Sequence, residues 1–237
     1  MFNNQEKFDI RCEWGLNGVK NLSKISEATI IIDILSFSTC VDIAVSKGSK
    51  IYPYQYSDLS KISEYANKFN AIIANKRSKT SYSLSPNSLI EIKDGTRLIL
   101  PSPNGSTLTL NSESKYTITC CLRNYKAVAE FIKKNNLKKI AIIPAGEKWN
   151  DNTLRPCVED LLGAGALISE LKGNFSPESL IAKSVFESNK NNLESLIFES
   201  ISSLELIEQD YIEDIKLALE INKSNNVPIL YDNYYSL

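Results

Sequence analysis

The sequence predicts an α/β fold in which a mostly parallel or mixed sheet lies between layers of helices. Short apolar runs of strand length alternate with amphipathic stretches through most of the chain. The run Ala28–Ile32 ends in three isoleucines, which is typical of a strand buried on both faces, because a strand with one exposed face would alternate apolar with polar residues. The chain of 237 residues is long enough for one such domain. We therefore expect a single domain over residues 1–237, with a helix-rich last third from about residue 156.

Apolar runs bounded by turn residues predict the strands. In chain order these are residues 8–14, 28–32, 50–54, 71–74, 97–100, 116–121, 139–144 and 227–231. Pro53 indicates that a sheet edge is near its strand, because proline cannot donate to a ladder. We expect the short strand at 71–74 to be buried.

Helices follow most of these strands. They are predicted from the turn after Asp33 to about Gly48, over residues 58–69 with Ser57 as N-cap, from Asn124 to about Asn135, from Pro156 to Gly173, and as two or three amphipathic helices over residues 180–222. Residues 15–18 and 78–87 are predicted to be turns or loops. Two prolines and an Asn-Gly pair make residues 101–107 a rigid loop.

Composition limits the function. A net charge of −1 gives no basic field for nucleic acid or for an anionic membrane. No apolar run reaches the length of a membrane span, and the first residues lack the pattern of a signal peptide, so we expect a cytoplasmic protein without a nucleic-acid or membrane partner. The five cysteines show no CxxC spacing, and we expect most to be small buried hydrophobes.

The absence of histidine is the most informative count. It removes Ser-His-Asp and Cys-His catalysis and every imidazole-ligated metal site. An enzyme of this composition works with carboxylates, amides, hydroxyls, lysine and arginine. A hard cation such as Mg²⁺, which prefers oxygen ligands, suits those groups.

Polar residues follow five predicted strands where each strand ends. They are Asp33, Arg77, Asn104, the pair Arg123-Asn124, and Glu147. If these strands run parallel, their carboxyl ends form one crevice, which is the usual ligand site of open α/β sheets. For Asp33 the alternative is that it only caps the helix that follows.

Two further sets of charged residues are candidates for the crevice. Glu159 and Asp160 fall in the first turn of the Pro156 helix and could join the crevice, although acidic residues also suit a helix N-terminus, which is the favoured interpretation from the residues alone. Arg77, Arg123 and Arg155 fall in predicted loops, and a guanidinium group matches phosphate, sulfonate or carboxylate with paired hydrogen bonds. A solvated surface role is the alternative for each arginine.

Several motifs together resemble one family. They are EWG at 13–15, IIDILSFSTC at 31–40, SLSPNSL at 83–89, RLILPSPNGS at 97–106, CLRNYKAVA at 121–129, IPAGEKW at 143–149 and LRPCVEDLLGAGA at 154–166. Their content and order resemble the 2-phosphosulfolactate phosphatase (ComB) family, and most closely its bacterial branch with DVLSFST-type sequences. Ser36 stands where much of that family has arginine, and Asn75-Lys76-Arg77 where many members have GER.

The resemblance implies a three-layer α/β/α fold and a Mg²⁺-dependent phosphatase that converts 2-phosphosulfolactate to sulfolactate and phosphate in coenzyme M biosynthesis. It implies a metal site of Asp33, Glu159 and Asp160. Among the residues that it carries over are Asp33, Asn104 and Asn124, and with Arg123, which we expect to hold phosphate, these are the expected catalytic residues. Substrate contacts are expected from Ser36, Arg77, Ser102, Gly105, Glu147 and Arg155.

Other interpretations stay open at this point. Direct attack by water and a phosphoenzyme on Asp33 both fit the residues. The same crevice could hold a sulfonate or phosphate without turnover, act on a related small phospho-acid, or serve another α/β enzyme of an acidic metabolite. The partner we expect is a small anionic phosphorylated substrate, and the apolar stripes of the C-terminal helices leave room for a homodimer.

Overall fold

Strands and helices alternate along the chain in the computed structural model, which describes residues 4–56 and 59–237. The strands are β1 (Ile10–Cys12), β2 (Ala28–Ile32), β3 (Lys50–Gln55), β4 (Ile72–Ile73), β5 (Arg97–Ser102), β6 (Tyr116–Cys120), β7 (Ile140–Pro144), β8 (Glu147–Lys148), β9 (Leu154–Arg155), β10 (Ile229–Tyr231) and β11 (Tyr234–Ser236). The helices are α1 (Gly15–Leu22), α2 (Phe37–Ser46), α3 (Ile62–Phe69), α4 (Gly105–Leu110), α5 (Tyr125–Lys134), α6 (Val158–Ser169), α7 (Pro177–Asn189), α8 (Leu193–Phe198), α9 (Ile201–Glu208) and α10 (Ile212–Ala218). None of the helices in these described ranges is both long and apolar enough to cross a membrane.

Nine strands form one mixed sheet in the order β1-β7-β2-β6-β10-β11-β3-β5-β4, and β8 and β9 form a separate hairpin. The first four strands are mutually parallel, and so are β3, β5 and β4. The antiparallel strands β10 and β11 join these two groups. The predicted mixed, largely parallel sheet is therefore confirmed.

The two parallel groups run in opposite senses, because three antiparallel pairings separate β6 from β3. Each step across a sheet adds a twist of roughly 20–25°, which accumulates over the five steps from β2 to β5. The carboxyl ends of β2 and β5 nevertheless come together, since the Gly105 amide after β5 donates to the Asp33 carboxylate after β2. The predicted crevice thus draws on strands of both groups.

Helices cover both faces of the sheet around β2, which gives the three-layer α/β/α arrangement. Ile30 and Ile32 pack in the large core with the apolar faces of α5 and α6. Ile31 points to the opposite face and packs with residues of α1, α4 and β7. All three isoleucines are buried, as their uninterrupted run predicts.

Helix α6 packs very closely on this centre. A Cβ atom added at Gly163 would lie 2.9 Å from Ile32 Cγ2 and 2.7 Å from Ile34 Cδ1. At Gly165 it would lie 2.1 Å from the carbonyl oxygen of Ala182 in α7. The two glycines therefore let α6 lie against both β2 and α7, with the acidic first turn of α6 close to the end of β2.

Some local predictions were wrong. Residues 15–18 begin α1 instead of forming a turn, because packing of Val19 and Leu22 on the sheet outweighs the poor helix propensity of two glycines. The predicted rigid loop shrinks to Pro103 and Asn104 between β5 and α4. Strand β4 is not buried, because it lies at the edge of the sheet.

Other predictions shifted in extent. The predicted helix 58–69 is seen as α3, whereas the proposed cap Ser57 and the following Asp58 lie outside the described residues. The region 180–222 forms parts of four helices, α7 to α10, where two or three were expected. Strand β11 was not predicted. Pro53 indicated a nearby sheet edge, but its strand β3 is third from the edge, with β5 and β4 outside it. All five cysteines are buried, which confirms that prediction.

Candidate active site

A polar cleft of about 430 Å³ opens beside the end of β2. Residues of five chain segments line it: Asp33, Leu35 and Ser36 after β2, Lys76, Arg77 and Leu84 after β4, Ser102, Pro103 and Asn104 after β5, Glu147 after β7, and Ser202, Glu205, Leu206 and Gln209 in and just after α9. Four of these segments follow strands of the two parallel groups. The helix α9 from the C-terminal region closes the cleft on another side.

Asp33 lines the cleft, is only 6% exposed and is held by two backbone amides. Its Oδ1 accepts a hydrogen bond from the Phe37 amide at 3.1 Å, and its Oδ2 accepts one from the Gly105 amide at 2.9 Å. These are the first amides of α2 and α4, which have no partner inside their own helices. Asp33 therefore caps a helix and also holds the β5–α4 loop beside it.

Burial raises the pKa of Asp33 to about 7, and the nearby carboxylate of Glu147 acts in the same direction. The two amide hydrogen bonds oppose this rise, and Glu159 adds to it. A carboxyl group that is costly to ionise in isolation is stabilised either by a proton or by a cation. This environment is typical of a functional carboxylate.

Asp160 ties the first turn of α6 to the same region. Its Oδ1 accepts from the Ile34 amide at 2.8 Å, and its Oδ2 accepts from the Gly146 amide at 2.8 Å. Burial raises the pKa of Asp160 well above its ordinary value, and the charges of Glu159 and Asp33 raise it further. Asp160 thus connects the loops after β2 and β7, and its pKa is raised in part by the negative charge of Asp33.

Glu159 completes an acidic group with Asp33 and Asp160. Its side chain is almost fully buried and has no hydrogen-bond or ion-pair partner among residues 4–56 and 59–237. Each carboxylate oxygen of Asp33 and Asp160 accepts from one backbone amide, which leaves a further lone pair on every oxygen. Carboxylate oxygens without a basic partner are the kind of donor that a hard cation such as Mg²⁺ prefers.

The side chains do not themselves form a finished metal cage. In the described part of the chain, no three His, Cys, Asp or Glu side chains stand together in metal-site geometry. Mg²⁺ usually keeps several waters and binds through one or two carboxylates, so a closed protein cage is not required for it.

Arg77 lies in the cleft, as expected of a substrate contact. Its Nη1 donates to Asp214 Oδ2 at 2.7 Å, and its Nη2 donates to Ser36 Oγ at 3.1 Å. The guanidinium carbon lies 5.2 Å from the ring centre of Tyr211. The position of the Arg77 side chain is therefore set mainly by Asp214 in α10 and by Tyr211, which comes directly before that helix.

Arg123 and Asn124 do not line the cleft. Arg123 donates from Nε to Asp42 Oδ2 at 2.9 Å, donates to the Leu217 carbonyl oxygen at 3.1 Å, and pairs with Glu220. Asn124 accepts from the Cys121 amide at 2.8 Å and donates to the Asn226 carbonyl oxygen at 3.2 Å. Both side chains are used in joining α5 to the C-terminal segment.

Three other expected residues border the cleft in different ways. Ser102 and Asn104 line it, and neither side chain has a hydrogen-bond partner within the described ranges. Arg155 is buried behind the wall, where its Nη2 lies 3.6 Å from Glu205 Oε2. Arg155 therefore reaches the cleft only through that carboxylate.

The chain matches the model of one known protein family over most of its length. The model of the 2-phosphosulpholactate phosphatase family matches residues 17–233. The chain belongs to this family. Membership confirms both the resemblance drawn from the motifs and the enzyme class, a phosphoric monoester hydrolase.

Curated relatives of the 2-phosphosulfolactate phosphatase family agree over most of their length. A probable 2-phosphosulfolactate phosphatase of Caldanaerobacter subterraneus is 26% identical over 227 residues, covering 90% of this chain and 92% of the relative. One from Pseudothermotoga lettingae is 24% identical and covers 87% of this chain and 90% of the relative. One from Prochlorococcus marinus is 29% identical over 65% of each chain.

For this member of the family, the fold gathers most but not all of the predicted residues. Asp33, Ser36, Arg77, Ser102, Asn104 and Glu147 line the cleft, and the Gly105 amide holds Asp33. Sequence reasoning missed Lys76, Asp214 and the cleft residues of α9. Lys76 could have been predicted, because it is adjacent to Arg77. No local pattern in the sequence marks α9 or α10 as part of a site.

Proposed function

We propose that this chain hydrolyses 2-phosphosulfolactate to sulfolactate and inorganic phosphate with Mg²⁺ as cofactor, as a cytoplasmic step of the coenzyme M biosynthesis type. Family membership supports the reaction class. The observation that carries the proposal is Asp33, a buried carboxylate with a raised pKa that opens onto a polar cleft beside two further buried carboxylates. A cation at this acidic group would offset the negative charge of an anionic substrate.

The residues divide into two roles. Asp33, Glu159 and Asp160 would hold Mg²⁺, directly or through water, and the bound ion would offset negative charge on the phosphoryl group. Asn104 and Ser102 have free polar atoms at the cleft wall and would donate hydrogen bonds to phosphate oxygens. Arg77, held by Asp214 and Ser36, would orient the acidic end of the substrate.

The amide hydrogen bonds give Asp33 a second task in this scheme. They hold its carboxylate between the starts of α2 and α4, so its oxygens are oriented before substrate enters. Pre-oriented charge lowers the reorganisation that the reaction requires. Because Gly105 comes directly after Asn104, the same contact also holds the loop that carries Asn104.

Phosphate release tests the proposal. The purified protein is given 2-phosphosulfolactate, 2-phospholactate or phosphoglycolate, with Mg²⁺ or with EDTA. We expect release from 2-phosphosulfolactate that requires Mg²⁺ and that falls by at least a hundredfold in Asp33→Asn. Unchanged turnover in Asp33→Asn rejects the assignment of that residue. Tight binding of the substrate by the unmodified protein without release would instead identify a non-catalytic binding protein.

A further inference from the structure

Lys76 lies on the wall of the cleft and has no part in the mechanism above. Its side chain is exposed and makes no hydrogen bond or ion pair within residues 4–56 and 59–237. It follows the short edge strand β4 and comes directly before Arg77. The loop after β4 therefore brings two adjacent cations to the cleft.

The two cations differ in how far they are already neutralised. Arg77 pairs at 2.7 Å with Asp214, a carboxylate that is fully buried. Asp214 is itself fixed by hydrogen bonds from Ser85 Oγ at 2.7 Å and from the Asn87 amide at 2.9 Å. Arg77 thus has a permanent counter-charge, whereas Lys76 has none.

The remaining charges of the cleft make this difference important. Its other charged lining residues are the carboxylates Asp33, Glu147 and Glu205. An anionic group that enters the cleft away from the metal ligand Asp33 meets Glu147 and Glu205, and repulsion between like charges opposes its binding. Among the described residues that line the cleft, Lys76 is the cation that is free to compensate such a group.

We infer that Lys76 is a specificity-determining residue that pairs with the sulfonate of the substrate. The inference rests on the proposed function and deepens it: the cleft selects phosphomonoesters that carry a strongly acidic group in addition to the carboxylate. The planar fork of Arg77 matches a carboxylate, and the compact ammonium of Lys76 suits a tetrahedral sulfonate. Because a lysine on a flexible stem is exposed here, its removal leaves the fold intact.

Steady-state kinetics of Lys76→Gln test the inference. We expect the KM for 2-phosphosulfolactate to rise about three- to tenfold with little change in kcat, and the KM for 2-phospholactate, which lacks the sulfonate, to stay within about twofold. Lys76→Arg, which keeps the charge, is expected to stay near the unmodified protein. Lys47→Gln, an exposed lysine at the end of α2, is the matched control and leaves both KM values unchanged. Equal changes for both substrates, or none, overturn the inference.

Binding of the product keeps this test separate from the proposed function. If the unmodified protein releases phosphate from neither substrate, the proposed function fails, and calorimetry with sulfolactate and lactate then tests Lys76 alone. Weaker binding of sulfolactate by Lys76→Gln, with no change in the binding of lactate, supports its pairing with the sulfonate. Equal affinities of both proteins for sulfolactate, or no binding by either, overturn it.

Discussion

At the scale of single residues, Asp33 joins two roles that the sequence presented as alternatives. It accepts from the first amide of α2, as a helix cap does, and it also lies in the cleft. A carboxylate near two helix starts is favoured by their dipoles, yet burial and neighbouring acids raise its pKa to about 7. The balance between these effects sets the pKa of Asp33 and so the pH at which this carboxyl group ionises.

The first prediction concerns the stability of the metal-free protein. The folded-state pKa of Asp33, about 7, lies above its ordinary value of 3.8, so the folded protein binds this proton more tightly than the unfolded chain. The stabilisation is therefore complete below about pH 3.8 and is lost as the pH rises to about 7. It amounts to on the order of 4 kcal/mol at about 1.4 kcal/mol per pH unit.

Urea unfolding in EDTA at several pH values from 4.5 to 8 measures this effect. Asp33→Asn removes the titrating group and is expected to flatten the decrease in the free energy of unfolding across that range. The difference between the two proteins reports the titration of Asp33 together with its effect on Asp160, and the contribution of Asp214, whose raised pKa acts in the same direction, cancels. Parallel pH profiles for the two proteins would contradict the prediction.

At the scale of elements, the C-terminal helices are bound into the site by buried ion pairs. Asp214 of α10 holds Arg77 of the cleft, and Arg123 before α5 pairs both with Asp42 of α2 and with Glu220, which follows α10. Asp42 is fully buried, and its other oxygen accepts from Ser224 Oγ at 2.6 Å. Helices that are distant in sequence thus fix the two elements that flank the cleft.

The second prediction distinguishes a structural Arg123 from a phosphate ligand. Arg123→Gln leaves the buried Asp42 carboxylate without its guanidinium partner, so we expect the free energy of unfolding to fall by about 3–5 kcal/mol. We expect the fraction of Arg123→Gln that stays folded to bind phosphate almost as tightly as the unmodified protein. Chemical denaturation and KM are the two measurements. A raised KM with unchanged stability would instead show that Arg123 is a substrate ligand.

Two further variants control for this experiment. Lys126→Gln changes an exposed cation in the first turn of α5 and is expected to alter stability by less than about 0.5 kcal/mol. The double variant Asp42→Asn with Arg123→Gln removes the unpaired charge as well. Its loss of stability is expected to be smaller than the sum of the two single losses, by about 1 kcal/mol or more.

At the scale of the whole molecule, the parts of the fold that depend on local sequence patterns could be predicted from the sequence. The isoleucine run of β2, the Pro156 helix start and the alternation of strands with helices are local patterns, and all correspond to observed elements. The same holds for the cleft residues Asp33 and Glu147, because the parallel neighbours β2 and β7 place their carboxyl ends together. Asn104 also follows a strand, but β5 runs in the opposite sense, and the contact of the Gly105 amide with Asp33 holds its loop at the cleft.

Other features depend on contacts between distant segments and have no local signature. Arg123 and Asn124 follow β6 just as Asp33 follows β2, but the C-terminal segment binds their polar groups. Helix α1 forms from a glycine-rich stretch because the sheet supplies its apolar partners. The antiparallel joint made by β10 and β11 could not be predicted, since β11 is only three residues long and follows a two-residue turn.

The last prediction concerns that joint. Strands β10 and β11 lie between the two parallel groups, so deletion of residues 228–237 leaves β6 and β3 without the strands that connect them. It also removes the buried Tyr235, whose ring packs against Phe37 and whose hydroxyl lies 2.8 Å from Thr109 Oγ1. We expect the truncated chain to lose cooperative thermal unfolding, as followed by near-ultraviolet circular dichroism, and to expose unpaired strand edges that promote aggregation. Removal of Leu237 alone, which is 61% exposed, is the control and should leave the transition in place. A cooperative transition of the longer deletion within a few degrees of the intact chain would mean that the two parallel groups hold together without β10 and β11.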